Sequence, residues 1–261
     1  MPKIGIIGGS GLYGIEGVEV KEMKRVTTPF GECSDDFKIC EFHGIEFAFL
    51  SRHGSPHRIA PHRINYRANM WGFREMGAER IVAVNAVGGI NRDAAPGDIM
   101  IPDQIIDMTE GRQSTFYEED EVVHVDFTFP FCPELRGLLT KAGKTVGLDL
   151  KETGTYVCTN GPRLETKAEI SSFQRMGGDM VGMTAMPEAC LARELEVCFA
   201  GIAVITNYAA GISERPLTVT EVVETMKTSM VRIKDLLKET LKIIPEERGC
   251  ECRHALRDAR L

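Results

Sequence analysis

The chain has no surplus of basic residues, no long apolar run, no Cys-x-x-Cys pair and no Ser/Pro/Gly-rich stretch between two halves. Each absence removes a class of protein. Lys and Arg number 31 against 38 Asp and Glu, a formal net charge of −7, whereas a nucleic-acid polymer calls for a basic face. A small anion is still accommodated, because a few Arg, His and backbone N–H groups hold phosphate on an acidic protein. No apolar run reaches the ~18 residues that span a bilayer. Residues 4–7 are apolar but too short for a secretory signal, and glycines follow at once. A cytoplasmic location with no membrane and no nucleic-acid partner is therefore expected. In that compartment the 8 cysteines are expected as free thiols. Zinc is poorly supported, since Cys250-Glu251-Cys252 has no second half in the sequence. The 12 prolines are spread along all 261 residues, so one domain is favoured over two.

What is present reads as strands alternating with helices. Lys3–Ile7, Glu46–Leu50, Arg80–Asn85, Asp98–Ile101, Ile105–Ile106, Gly154–Cys158 and Val197–Ile205 are apolar strand candidates. Helical spacing marks Ile64–Met76 and Pro133–Ala142. Thr166-Lys167-Ala168-Glu169 and Thr218-Val219-Thr220-Glu221 have the form of capping boxes, and Pro187 suits the first turn of another helix. The pattern predicts an α/β fold with a mixed, mostly parallel central sheet flanked by helices. Ligands in such folds sit beyond the carboxyl ends of the strands. Ser10, Arg52, Asn85 and Asn207 all fall at such ends.

Gly9-Ser10-Gly11-Leu12-Tyr13-Gly14 matches the G-x-G-x-x-G dinucleotide fingerprint after a strand. That fingerprint requires a following helix, and Leu12–Val20, with Gly14 and Gly17, offers none. A tight turn is the ordinary reading; the preferred one is an anion turn, in which Gly9 and Ser10 offer N–H groups and a hydroxyl to phosphate. Arg52-His53-Gly54 opens a loop with His57, Arg58, His62 and Arg63. A solvated basic loop would look the same, but its place after an apolar strand favours a site, and Arg holds phosphate through two parallel hydrogen bonds.

Glu165, in Gly161-Pro162-Arg163-Leu164-Glu165, precedes a helix start; Asn207, in Val204-Ile205-Thr206-Asn207-Tyr208, follows an apolar strand. Separately, each has an ordinary explanation: a carboxylate near a helix N-terminus and a turn residue at a strand end. Together a carboxylate and a carboxamide suit the edge of a flat heterocycle. With Met183-Thr184-Ala185-Met186-Pro187-Glu188 and Arg52-His53-Gly54, they make residues 3–247 resemble the trimeric-type purine nucleoside phosphorylases, nearest the methylthioadenosine/methylthioinosine branch.

The resemblance implies a phosphate pocket of Gly9, Ser10, Arg52, His53, Asn85, Ala86 and Thr184, with Asn85 where many relatives carry threonine. It puts Met183 under the ribose and Leu164, in place of a phenylalanine, against the purine. Glu165 and Asn207 become the catalytic, base-reading pair: Glu165 accepts N1–H of a 6-oxopurine, and Asn207 donates to O6 and meets N7. The 6-amino branch carries Asp at the latter place. Val219 and Val223 match an apolar pocket for a 5′-methylthio group, and His124 matches a residue lent by a neighbouring subunit, so a homo-oligomer, trimer or hexamer, is implied.

The implied reaction is reversible phosphorolysis of S-methyl-5′-thioinosine to hypoxanthine and 5-methylthioribose 1-phosphate. Phosphate is a substrate, and no cofactor or metal is needed. Methylthioadenosine phosphorylase, inosine/guanosine phosphorylase and, from another class, a dinucleotide-binding oxidoreductase are the alternatives. Residues 248–261 form a C-terminal extension whose Cys250 and Cys252 resemble an oxidisable tail of heat-adapted relatives, while Cys132 and Cys198 match positions close together in the fold.

Overall fold

The computed structural model describes residues 3–9, 18–118, 121–214 and 218–260. Its strands begin with β1 (Ile4–Gly8), β2 (Val18–Lys24), β3 (Thr27–Thr28), β4 (Gly31–Glu32), β5 (Phe37–Phe42) and β6 (Ile45–Ser51). Helix α1 (Tyr66–Glu75) leads into β7 (Arg80–Gly89), β8 (Ile99–Met100) and β9 (Gln104–Met108). Then come α2 (Pro133–Thr145), β10 (Leu150–Lys151), β11 (Thr155–Thr159), α3 (Lys167–Arg175), β12 (Met180–Gly182), α4 (Ala185–Glu194), β13 (Cys198–Tyr208) and α5 (Val219–Ile243).

One sheet of 11 strands runs through the molecule, with the path β10-β8-β13-β7-β1-β6-β5-β2. β13, β7, β1 and β6 are parallel neighbours, and β5, β2, β8 and β12 add antiparallel pairings, so the sheet is mixed, as expected. β1 is buried at every position, and β13 at all but its last, because helices cover both faces. On one face α1 and α4 bring Met70, Phe73, Ala189 and Leu191 to the core. On the other, α2 and α5 bring Leu135, Leu139, Ile233 and Leu236. The chain is thus a single α/β domain. Among the described residues no helix is long and apolar enough to cross a membrane.

The helix starts follow the caps. Thr166 accepts from the Glu169 backbone N–H and the Glu169 carboxylate accepts from the Thr166 N–H, a reciprocal capping box. Thr218 caps α5 through the Glu221 N–H. Inside α4, Met186 is non-helical (φ −109, ψ 133), so the continuous helix begins at Pro187.

The structure corrects two expectations. β7 does not stop at Asn85 but runs on to Gly89, because β13 pairs with it to the end and β12 joins antiparallel at Gly88 and Gly89. A Cβ on Gly89 would meet the Ala94 carbonyl oxygen at 2.7 Å, so this glycine permits close approach rather than breaking the strand. At the sheet edge β2, exposed along most of its length, pairs antiparallel with the mostly buried β5. Finally, Cys250-Glu251-Cys252 does have a second half: the tail folds back and sets both sulfurs beside Cys132 and Cys198.

Candidate active site

Because β13, β7, β1 and β6 run parallel, their carboxyl ends share one edge of the sheet. The register sets Gly8 opposite Ser51 and Ile7 opposite Ala83. Carried forward, it brings Gly9, Arg52 and Asn85 to one level. Ala203 lies opposite Asn85, which places the end of β13 just above them. A cleft of about 610 Å³ opens there, within the range that holds a small ligand.

Arg52 is only 2 % exposed, and Glu188, at the start of α4, is fully buried against it. Arg52 Nε donates to Glu188 Oε1 at 2.6 Å and Nη2 to Oε2 at 2.9 Å, while Nη1 donates to the Val84 carbonyl at 2.9 Å. Burial pulls the guanidinium pKa down, but the Glu188 charge and hydrogen bonds outweigh it, and Arg52 stays charged. Of its five N–H groups, one remains on each terminal nitrogen, a fork matched to two oxygens of an oxyanion.

Burial, reinforced by the Arg52 charge, holds the His53 imidazole far down, at about 4. It is therefore neutral at neutral pH. His53 Nδ1 lies 2.8 Å from the Ile59 carbonyl oxygen. A carbonyl only accepts, so Nδ1 carries the proton and Nε2 keeps its lone pair for a hydroxyl of the ligand. The His57 ring stacks on His53 with centroids 4.3 Å apart. Nearby, Asn85 Nδ2 donates to Thr184 Oγ1 at 2.7 Å. The Thr184 hydroxyl hydrogen is thereby left to a further acceptor.

The Asn207 end of the cleft depends on a β-bulge. Ile205 pairs with Val87, but the next pair is Asn207 with Gly88, so Thr206 is an extra residue. In a regular pleat Thr206 and Asn207 would face opposite sides; with the bulge both line the cleft. Thr206 Oγ1 contacts Asn207 Oδ1 at 2.9 Å, and Asn207 Nδ2 donates to the Tyr208 carbonyl at 2.9 Å. One N–H of the carboxamide is left for a ligand. Across the cleft, Thr159 Oγ1 donates to Glu165 Oε1 at 2.7 Å, leaving Oε2 as an acceptor. Gly161 has φ +63, and a Cβ there would collide with the Met183 sulfur, so this glycine lets Met183 reach the cleft.

The cleft thus collects Gly9, Arg52, His53, Asn85, Ala86 and Thr184 of the phosphate set, together with Met183, Leu164, Glu165 and Asn207 of the ribose and base set. Ser10 lies outside the described residues. Of the 5′ set, Val223 lines the cleft, but Val219 does not: it is 76 % exposed, one turn out along α5. The apolar wall is instead Val222, Val223, Met226 and Met230, the part of the stripe that overlies the strand ends. His124 is exposed and does not line its own chain's cleft.

Several contributors escape sequence reading. Glu188 was legible only as one carboxylate in an apolar helical start. Thr159 and Arg112 gave no signal. Arg112 donates to the Thr159 and Asn160 carbonyls at 3.2 and 2.9 Å and to the Met186 carbonyl, tying the Glu165 loop to the start of α4.

Residues 3–242 match the Phosphorylase superfamily. A probable S-methyl-5′-thioinosine phosphorylase of Thermodesulfovibrio yellowstonii is 54% identical over 258 residues, 98% of this chain and 97% of that one. The 6-oxopurine nucleoside phosphorylase of Pyrococcus furiosus is 50% identical, covering 99% of each. Among solved structures, a methylthioadenosine phosphorylase from an antarctic soil metagenomic library superposes with a TM-score of 0.93 at 36% identity, covering 100% of this chain and 92% of that one.

Proposed function

We propose that this chain, which belongs to the Phosphorylase superfamily, catalyses reversible phosphorolysis of 6-oxopurine nucleosides, with S-methyl-5′-thioinosine as its preferred substrate. One observation carries the reading: Glu165 and Asn207 line the same cleft as the Arg52–His53 anion pocket. The two relatives named for 6-oxopurine and methylthioinosine substrates agree with it.

In the reaction, phosphate lies against the Arg52 fork, the Thr184 hydroxyl and the Gly9 backbone, with His53 Nε2 accepting from a phosphate hydroxyl. The ribose rests on Met183. As the glycosidic bond stretches, positive charge grows on the sugar ring and negative charge on the purine. The bound phosphate screens the first. The proton that the phosphate gives up ends on the purine at N7, where Asn207 Oδ1 accepts from the N7–H; the one free Asn207 N–H donates to O6, and Glu165 Oε2 accepts N1–H. Phosphate then attacks C1′, giving the free purine and a pentose 1-phosphate. Catalysis is placement plus electrostatic complementarity.

An aspartate in place of Asn207 would repel a carbonyl at C6, whereas the amide donates to it. Mispairing such an edge costs about 1–3 kcal/mol, roughly ten- to a hundredfold in selectivity. Val222, Val223 and Met226 form an apolar wall that favours a methylthio group over a hydroxyl.

The enzyme acts as a cytoplasmic homo-oligomer, a trimer or hexamer in which His124 reaches a neighbouring cleft. Its exposure, and its absence from its own chain's cleft, support that role. Phosphate-dependent rates on methylthioinosine, inosine and methylthioadenosine test the assignment. The order should be methylthioinosine, then inosine, then methylthioadenosine. Faster turnover of the 6-amino compound overturns the base assignment, and faster inosine turnover overturns the 5′ assignment.

A further inference from the structure

Far from the cleft, four cysteines converge from three parts of the chain. Cys132 is the N-cap of α2, Cys198 opens β13, and Cys250 and Cys252 flank Glu251 in the tail. All four are buried, and their sulfurs lie within 4.8 Å of one another. Cys198 Sγ and Cys250 Sγ are 3.3 Å apart. Four thiolates around a tetrahedral zinc ion, each about 2.3 Å from it, stand about 3.8 Å from each other. That value lies between the 3.3 Å of the Cys198–Cys250 pair and the 4.8 Å within which all four sulfurs fall.

The surroundings suit an anionic sulfur cluster. The Leu135 backbone N–H points at Cys132 Sγ, 3.4 Å away, at the start of a helix. Arg193 Nη1 lies 3.7 Å from Cys252 Sγ. Four thiolates and a divalent ion carry a net charge of −2, and an arginine with an N–H donor offsets part of it. We propose that Cys132, Cys198, Cys250 and Cys252 form a structural tetrathiolate site for zinc. All four positions are filled by protein, which leaves none open for a substrate. Binding converts four thiols to thiolates and releases four protons, so affinity rises with pH.

The ion's role is to fasten the tail. The tail already touches the body where the Gly249 N–H donates to Glu134 at 3.0 Å and the His124 N–H donates to Ala259 at 2.8 Å. A metal bond to both Cys250 and Cys252 closes long loops of chain, which constrains the unfolded state. Cys198 and Asn207 sit at opposite ends of β13, about 30 Å apart at about 3.3 Å per residue. The site therefore governs stability and not the chemical step.

The test uses the full chain, reduced with a phosphine and titrated with zinc against a chromophoric chelator and, separately, with cobalt(II). The expected result is one ion per chain, the intense visible bands of tetrahedral thiolate cobalt, and a melting temperature raised by about 5–10 °C at a hundredfold excess over Kd. Cys250→Ser and Cys252→Ser should each lose the zinc and the stabilisation while keeping phosphorolysis at ambient temperature. If a variant fails to fold, zinc protection of the wild-type thiols from alkylation, read by peptide mass, replaces it. Absence of stoichiometric binding, binding that persists in both variants, unprotected thiols, or two disulfides with no metal in protein purified without reductant would each overturn the site.

Discussion

Arg52 and Glu188, 136 positions apart in sequence, meet as a buried bidentate pair that fixes Arg52 in the wall of the cleft. Glu188 touches no substrate in the proposed reaction; it is a positioning residue. Glu188→Gln keeps the shape and one acceptor but removes the charge. Breaking one side of a buried pair costs about 3–5 kcal/mol of stability. The Michaelis constant for phosphate should rise at least about tenfold, while that for the nucleoside changes little. Equal changes in both, measured by steady-state kinetics, would reduce Glu188 to a core residue.

Asn207→Asp replaces the donor that faces O6 in the proposed reaction by an acceptor. Relative kcat/KM should move from 6-oxo toward 6-amino nucleosides by about ten- to a hundredfold. A substrate panel run on both proteins reads this directly, and an unchanged ratio removes Asn207 from base recognition.

His53 links stability to pH. Its ordinary value near 6.5 falls to about 4 in the fold, chiefly through burial. Between those values the unfolded chain binds a proton that the native state does not. Its contribution is therefore fully present above pH 6.5 and is lost as pH falls toward about 4. The full displacement corresponds to on the order of 3 kcal/mol, an upper figure for a group that retains some solvent. Denaturant melts at pH 7 and pH 4.5 should show a smaller acid loss for His53→Asn than for the parent.

Gly161→Ala puts a Cβ at φ +63 and against the Met183 sulfur. The strain costs about 1–3 kcal/mol. Displacement of Met183 from the ribose should raise the nucleoside Michaelis constant more than that for phosphate. A variant matching the parent in both stability and nucleoside affinity contradicts this use of the glycine.

Val223→Ser places a hydroxyl on the apolar wall. Losing burial of the methylthio group should cost about 1–2 kcal/mol of the preference for methylthioinosine over inosine. The ratio of kcat/KM for the two substrates checks it.

The local grammar of this protein was legible in its sequence. Thr166 and Thr218 announced two helix starts, and runs such as Ile4–Ile7 and Val197–Ile205 announced buried strands, because caps and side-chain periodicity are properties of neighbouring residues. That Arg52, Asn85 and Asn207 would line one cleft was legible because parallel strands in a helix-covered sheet direct their carboxyl ends to one edge.

Tertiary structure decided what depends on long-range pairing. The strand pairing with β13 and β12 carried β7 past two glycines, and a one-residue slip at Thr206 turned Asn207 inward. Contacts across the fold gave Arg52 its Glu188 and gathered four cysteines around one point. No local pattern encodes such meetings. They arise when sheet register fixes the relative height of distant segments and close packing leaves each buried charge or sulfur only the partners within its reach.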